Sequence, residues 1–123
     1  MIYLNTSTRS LQAVLGAAVS TSQIDVTACF YDTPNRPRPD NAESIGAAAL
    51  TTTANTTAVI AVAAPPPDTT RNIGYLSFFN ADTTTAALTV KYNDNGTTRV
   101  LQSRTLAIKQ ALAYETDTGW YLA

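Results

Sequence analysis

Apolar and polar positions alternate most cleanly between residues 73 and 101. Leu88-Thr-Val-Lys-Tyr92 has the period-two pattern of a half-buried strand. Asn95-Gly96 suits the two central positions of a type I′ hairpin turn, both of which hold positive φ. That turn predicts Val90 opposite Leu101, Lys91 opposite Val100 and Tyr92 opposite Arg99, with the guanidinium over the Tyr92 ring. Leu88, Val90 and Leu101 would then face a core, and Thr89, Lys91 and Gln102 the solvent. Residues 73–79 follow another pattern. Leu76 and Phe78 fall on one side, while Tyr75 and Phe79 make the other side apolar too. A simple sandwich covers one side of a strand, so Tyr75 and Phe79 need a cover, either a loop or a second protein.

Similar patterns run through the rest of the chain. Residues 11–15 predict a short strand, 16–22 a small-residue connection, and 23–31 a second strand. In the second strand Ile24, Val26, Ala28 and Phe30 point one way, and Asp25, Thr27, Cys29 and Tyr31 the other. Pro34, Pro37 and Pro39 make 32–42 a stiff, extended loop. Its Arg36 and Arg38 are either solvated or clamp an acidic partner surface. Residues 44–57 predict a weak strand anchored by Ile45 and Leu50, with a turn at Asn55. Strands follow at 59–62, around Leu106 and Ile108, around Leu112 and Tyr114, and at 120–122, with Lys109-Gln110 as a turn. About eight short strands at even spacing indicate an all-β fold, an antiparallel β-sandwich or jelly-roll-like barrel. Residues 10–123 form that single domain and 1–9 an N-terminal arm. The arm's Ile2-Tyr3-Leu4 either frays or docks on a neighbouring subunit.

Composition narrows the chemistry. A chain of 123 residues is one domain, able to bury roughly two-thirds of its unfolded surface. Much of the 45% hydrophobic fraction is Ala, which predicts a thin core that relies on neighbours. Charged residues are 14% of the chain and the bases are scattered, so no stripe for nucleic acid or anionic lipid is visible. No apolar run approaches the ~20 residues of a membrane span. Residues 11–19 faintly suggest a signal segment but lack a basic leader and contain Gln12, so a strand and turn is the better reading. The absence of His removes the usual general base, Ser-His-Asp chemistry and His-ligated zinc. The single Cys29 excludes an internal disulfide and a multi-cysteine metal site, and an inert buried thiol is expected. Asp25 and Asp32 are acids to weigh as a catalytic pair, with solvated strand-edge acids the expectation. Asp94-Asn-Gly96 lacks the regular oxygen ligands and closing Glu of a calcium loop. No phosphate loop or nucleophile elbow is present. Neither an enzyme nor a cofactor is expected.

The order of certain motifs resembles a widespread family of small tailed-bacteriophage proteins. Ser10-Leu-Gln-Ala-Val-Leu15, then Ser22-Gln-Ile-Asp-Val-Thr-Ala28 and Tyr31-Asp32, are similar to that family's opening. Arg71-Asn72, Leu76-Ser77, Asn80-Ala-Asp82, Leu88-Thr-Val90, Asp94-Asn-Gly-Thr97, Leu112-Ala-Tyr114 and Gly119-Trp120 resemble its second half. Lys109-Gln-Ala111 departs from the family's frequent Pro-Gly-Glu turn. The resemblance implies a virion structural protein, often a capsid decoration (cement) protein that stabilises the assembled head. Its partners would be the major capsid protein or other virion proteins, with a homo-oligomer, a trimer by preference. Residues for contact are then Ile2, Tyr3, Leu4, Arg36, Arg38, Tyr75 and Phe79. The alternative is a tail, collar or fibre-associated module that binds a receptor or carbohydrate, with Trp120 and Tyr121 exposed together in a groove.

Overall fold

The computed structural model describes residues 1–35 and 45–123. Arg36 and Arg38, read from the sequence as either solvated or clamping an acidic partner surface, lie outside the described residues. Ten strands account for most of the rest: β1 (Ile2–Leu4), β2 (Arg9–Leu15), β3 (Asp25–Pro34), β4 (Ile45–Thr52), β5 (Val59–Val62), β6 (Thr69–Phe79), β7 (Ala86–Asp94), β8 (Thr97–Leu106), β9 (Ala111–Glu115) and β10 (Gly119–Leu122). They form two antiparallel sheets packed as a sandwich. The larger sheet has the order β10-β9-β6-β3-β4, with β1 beside the first half of β6; the smaller has the order β5-β2-β7-β8.

The predicted all-β sandwich is present with more strands than eight, and two differences have simple causes. Residues 2–4 pair with Ile73, Asn72 and Arg71. Leu4 is wholly buried in the core of its own chain and Ile2 packs against that core. The segment expected as a free arm is thus a strand, held by apolar burial worth about 1.5–3 kcal/mol for a side chain such as Leu4. Residues 97–106 form one long strand, and Ile108, placed in a strand by the sequence pattern, is an exposed turn residue. Lys109 beside it has φ 63°, a left-handed conformation that belongs to the turn after the strand.

The β7–β8 hairpin turns at Asn95 and Gly96 with φ of 51° and 96°, as its sequence predicts. Tyr92 faces Arg99 and Lys91 faces Val100, but the register then shifts and Val90 faces Gln102. Leu101 is the extra residue of a bulge, still half-buried against the core. The guanidinium over an aromatic ring is Arg71, 4.1 Å from the centre of Phe30, and not Arg99 over Tyr92.

Between the sheets lie Leu11, Leu15, Val62, Leu88, Val90 and Leu106 from one side, and Val26, Ile73, Leu76, Phe78 and Leu112 from the other. Branched and aromatic side chains thus make up most of the core, thicker than the Ala content led one to expect, with Ala13, Ala28, Ala61 and Ala86 filling the space between them. Ala47 and Ala48 instead lie exposed on β4. Trp120 closes one end of the core, its ring centre 6.4 Å from that of Phe78 and 5.2 Å from that of Tyr114.

One buried charge organises the loops at an end of the sandwich. Asp82 is 1% exposed. Its carboxylate accepts from the Ser20 and Thr21 amides at 2.8 Å each, the Thr83 amide at 2.8 Å and the Thr21 hydroxyl at 2.9 Å. The Ser20 amide does most to hold its pKa well below the usual carboxylate range; burial opposes this, and Thr21 and Thr83 reinforce Ser20. Asn80, fully buried, donates to the carbonyls of Thr84, Leu106 and Ala107 and accepts the Asp82 amide at 3.0 Å. The two residues stitch the β2–β3, β6–β7 and β8–β9 connections together. Nothing in the periodicity marked them, because most of their partners, at residues 20–22 and 106–107, are distant in sequence.

Candidate interaction face

The outward surface of the larger sheet is built around β6. Its alternation places Leu76 and Phe78 in the core and leaves Tyr75 and Phe79 outward and half-buried, as the sequence pattern indicates. Strict alternation would also turn Ile73 outward, yet Ile73 is 1% exposed. The register shifts between Cys29 and Phe30, where Tyr75 and Ile73 are successive partners, so Gly74 is the inserted residue of a bulge. Its carbonyl is satisfied by the Thr116 amide at 3.2 Å. Beyond the bulge the outward row resumes at Asn72.

Cross-strand partners share a face, so the registers give the rows of this surface. Asn72 lies between Tyr3 and Tyr31. Tyr75 lies between Glu115 and Cys29, with Ala48 beyond Cys29. The next row runs Tyr121, Ala113, Ser77, Thr27 and Leu50. Four tyrosines, Phe79 and Leu50 thus stand on one side of one sheet. Tyr3 is 49% exposed, Tyr31 43% and Leu50 80%, far more than a core anchor, which overturns the expected role of Leu50.

Among the described residues, charge is confined to the margins of this face. Asp25 pairs opposite Phe79 near one end, and the Lys109 ammonium stands 5.9 Å from the Phe79 ring centre. Glu115 accepts a 3.0 Å hydrogen bond from the Tyr121 hydroxyl, and this bond, ahead of burial, raises the Tyr121 pKa. The middle of the surface carries hydroxyls, a thiol, methyl groups and aromatic rings. That distribution, aromatic and polar-neutral at the centre with charge at the rim, is the anatomy of protein interfaces.

Of the residues chosen from sequence, the structure brings Tyr3, Tyr75 and Phe79 onto this face. Ile2 and Leu4 are turned inward and cannot serve it. Tyr31, Tyr121, Cys29 and Leu50 complete it. Cys29 is exposed here and not the buried thiol expected, because it shares the outward side of β3 with Tyr31. That signal was present in the alternation of residues 24–31. Asp25 and Asp32 share no cleft. Asp25 is exposed, whereas Asp32 takes two 2.9 Å bonds from Arg71. The Arg71 guanidinium also donates to the Ala63 carbonyl at 2.9 Å, tying the β5–β6 connection to the sheet. Trp120 and Tyr121 point to opposite faces of β10 and form no common groove.

In comparisons with known proteins, the chain matches no family model, no curated protein and no solved structure.

Proposed function

We propose that this chain is a structural assembly protein of a bacteriophage virion, a capsid decoration (cement) protein that docks on the assembled head and stabilises it. The observation that carries the docking is the outward face of the larger sheet, where Tyr3, Tyr31, Tyr75 and Tyr121 surround an uncharged centre. The virion is suggested by the ordered motifs that resemble small tailed-phage proteins, from Ser10-Leu-Gln-Ala-Val-Leu15 to Gly119-Trp120. Rigid tyrosines on a sheet offer large contact area at low entropic cost, and their hydroxyls meet backbone groups of a flat lattice. A contact of standard size buries ~800 Å² per partner. Because the protein would bind the assembled lattice and not free capsid subunits, mass action would favour the assembled state. Repeated copies in a homo-oligomer would add avidity. The fibre-module alternative loses its sugar-stacking platform, since Trp120 is turned into the core.

The test is co-sedimentation of the purified protein with assembled phage heads that lack it. Wild-type protein should pellet with the heads. The double substitution Tyr3→Lys and Tyr31→Lys, both at exposed positions, should weaken binding by about tenfold to hundredfold without unfolding the chain. Wild-type protein left in the supernatant, or a double variant that pellets equally well, refutes the reading.

A further inference from the structure

The larger sheet ends at β4, and among the described residues no strand lies on its outer side. A row of backbone N–H and C=O groups is therefore left without ladder partners along Ile45–Thr52. Such an edge recruits another strand unless it is short, charged, bulged or interrupted by proline. The other edges of this molecule are blunted in these ways. β1 has three residues, and β5 and β10 have four each. β8 is long, but it carries the exposed Arg99 and Arg104 and is bulged at Leu101. β4 has none of these protections. Its sequence, Ile45-Gly-Ala-Ala-Ala-Leu-Thr-Thr52, holds no charge and no proline, and its eight residues pair with β3 in unbroken register.

We infer that the free edge of β4 binds β4 of a second copy of this chain, antiparallel across a two-fold axis, joining two larger sheets into one. A two-fold axis sets the strand against a second copy of itself, so charges of one sign on the strand are brought close together. The uncharged β4 is compatible with that arrangement. Antiparallel pairing over this length gives about six to eight backbone hydrogen bonds. Side chains complete the fit. Leu50 is 80% exposed beside an open groove of about 600 Å³ lined by Asp25, Val26, Thr27, Thr51 and Thr52. With Ala49 on the axis, Leu50 of each copy lies across from Ala48 of the other on the outward face, a large side chain beside a small one. The pairing is in the plane of the sheet, so the tyrosine face stays open. The inference does not depend on what that face docks on.

Sedimentation equilibrium of the full chain tests it, with far-UV circular dichroism to verify folding of each variant. The wild-type chain should be a dimer in solution. Ala48→Lys, at an exposed position, sets like charges close together across the axis and should weaken the dimer by about tenfold or more. Val100→Lys, on the exposed surface of β8, should leave it unchanged. Should Ala48→Lys fail to fold, wild-type hydrogen exchange at rising concentration decides the matter, because amides of residues 47–52 should slow as the dimer forms. A wild-type chain still monomeric at about 1 mM, a dimer lost through Val100→Lys and kept in Ala48→Lys, or exchange in 47–52 that ignores concentration overturns the inference.

Discussion

The two outward faces of the sandwich are alike in topology and unlike in chemistry. On the smaller sheet, Gln12 and Lys91 lie between Ile60 and Val100, and Thr89 lies between Val14 and Ser103. No aromatic residue stands in those rows. On the larger sheet, four tyrosines, Phe79 and Leu50 occupy the corresponding positions. Both faces belong to antiparallel sheets whose other side is buried, and such a sheet tolerates solvent on one side. The smaller sheet shows that folding here needs no outward aromatics. Those of the larger sheet are therefore the feature on which the proposed docking rests.

The contrast can be broken most sharply on β6 itself, where neighbouring phenylalanines face opposite ways. Phe78→Ala removes a fully buried ring and should cost about 3–5 kcal/mol in urea unfolding. Phe79→Ala, half-buried on the outward face, should cost about 1 kcal/mol or less. Equal losses would mean that the outward ring belongs to the core after all. A second effect comes from the buried end of the sandwich, where Asp82 has its pKa lowered. A carboxylate depressed in the folded state contributes stability that is complete above its ordinary value of 3.8 and is lost as the pH falls towards the folded value. Thermal unfolding midpoints should therefore drop steeply with acid below about pH 4. Asp82→Asn should lower stability at neutral pH and flatten that acid-dependent fall; an unchanged acid profile would show that other carboxylates set it. The smallest effect is expected at the rim. Lys109→Ala, removing an exposed cation 5.9 Å from the Phe79 ring centre, should change stability by no more than about 0.5 kcal/mol.

What the sequence made legible followed from local periodicity. The β7–β8 turn is encoded by Asn95-Gly96, the two sides of β3 by strict alternation, and the two apolar sides of β6 by Tyr75 and Phe79. Three things were hidden because they depend on contacts distant in sequence. Bulges at Gly74 and Leu101 shift the register by one residue; a glycine inside a strand hints at the first, and nothing in the composition announces the second. The inward turn of Ile2 and Leu4 requires β6 as a partner, seventy residues away by register. The Asp82 cluster draws most of its donors from residues 20–22, about sixty positions earlier. Alanine content was a poor guide to the core for a related reason: composition counts residues without regard to side, and of the β4 alanines Ala48 faces outward while Ala49 packs against the core. The tyrosine face was half legible. Tyr75 and Phe79 were evident from their own strand, whereas Tyr3, Tyr31 and Tyr121 join them only once the strands are set side by side.

Hydrogen–deuterium exchange of the protein, free and bound to assembled phage heads, tests most directly whether the larger sheet is the docking side. Slower exchange should concentrate in residues 27–31, 72–79 and 113–121, with residues 86–106 of the smaller sheet unaffected. Protection centred on 86–106, or none on either sheet in a pelleted complex, would contradict the assignment of the tyrosine face.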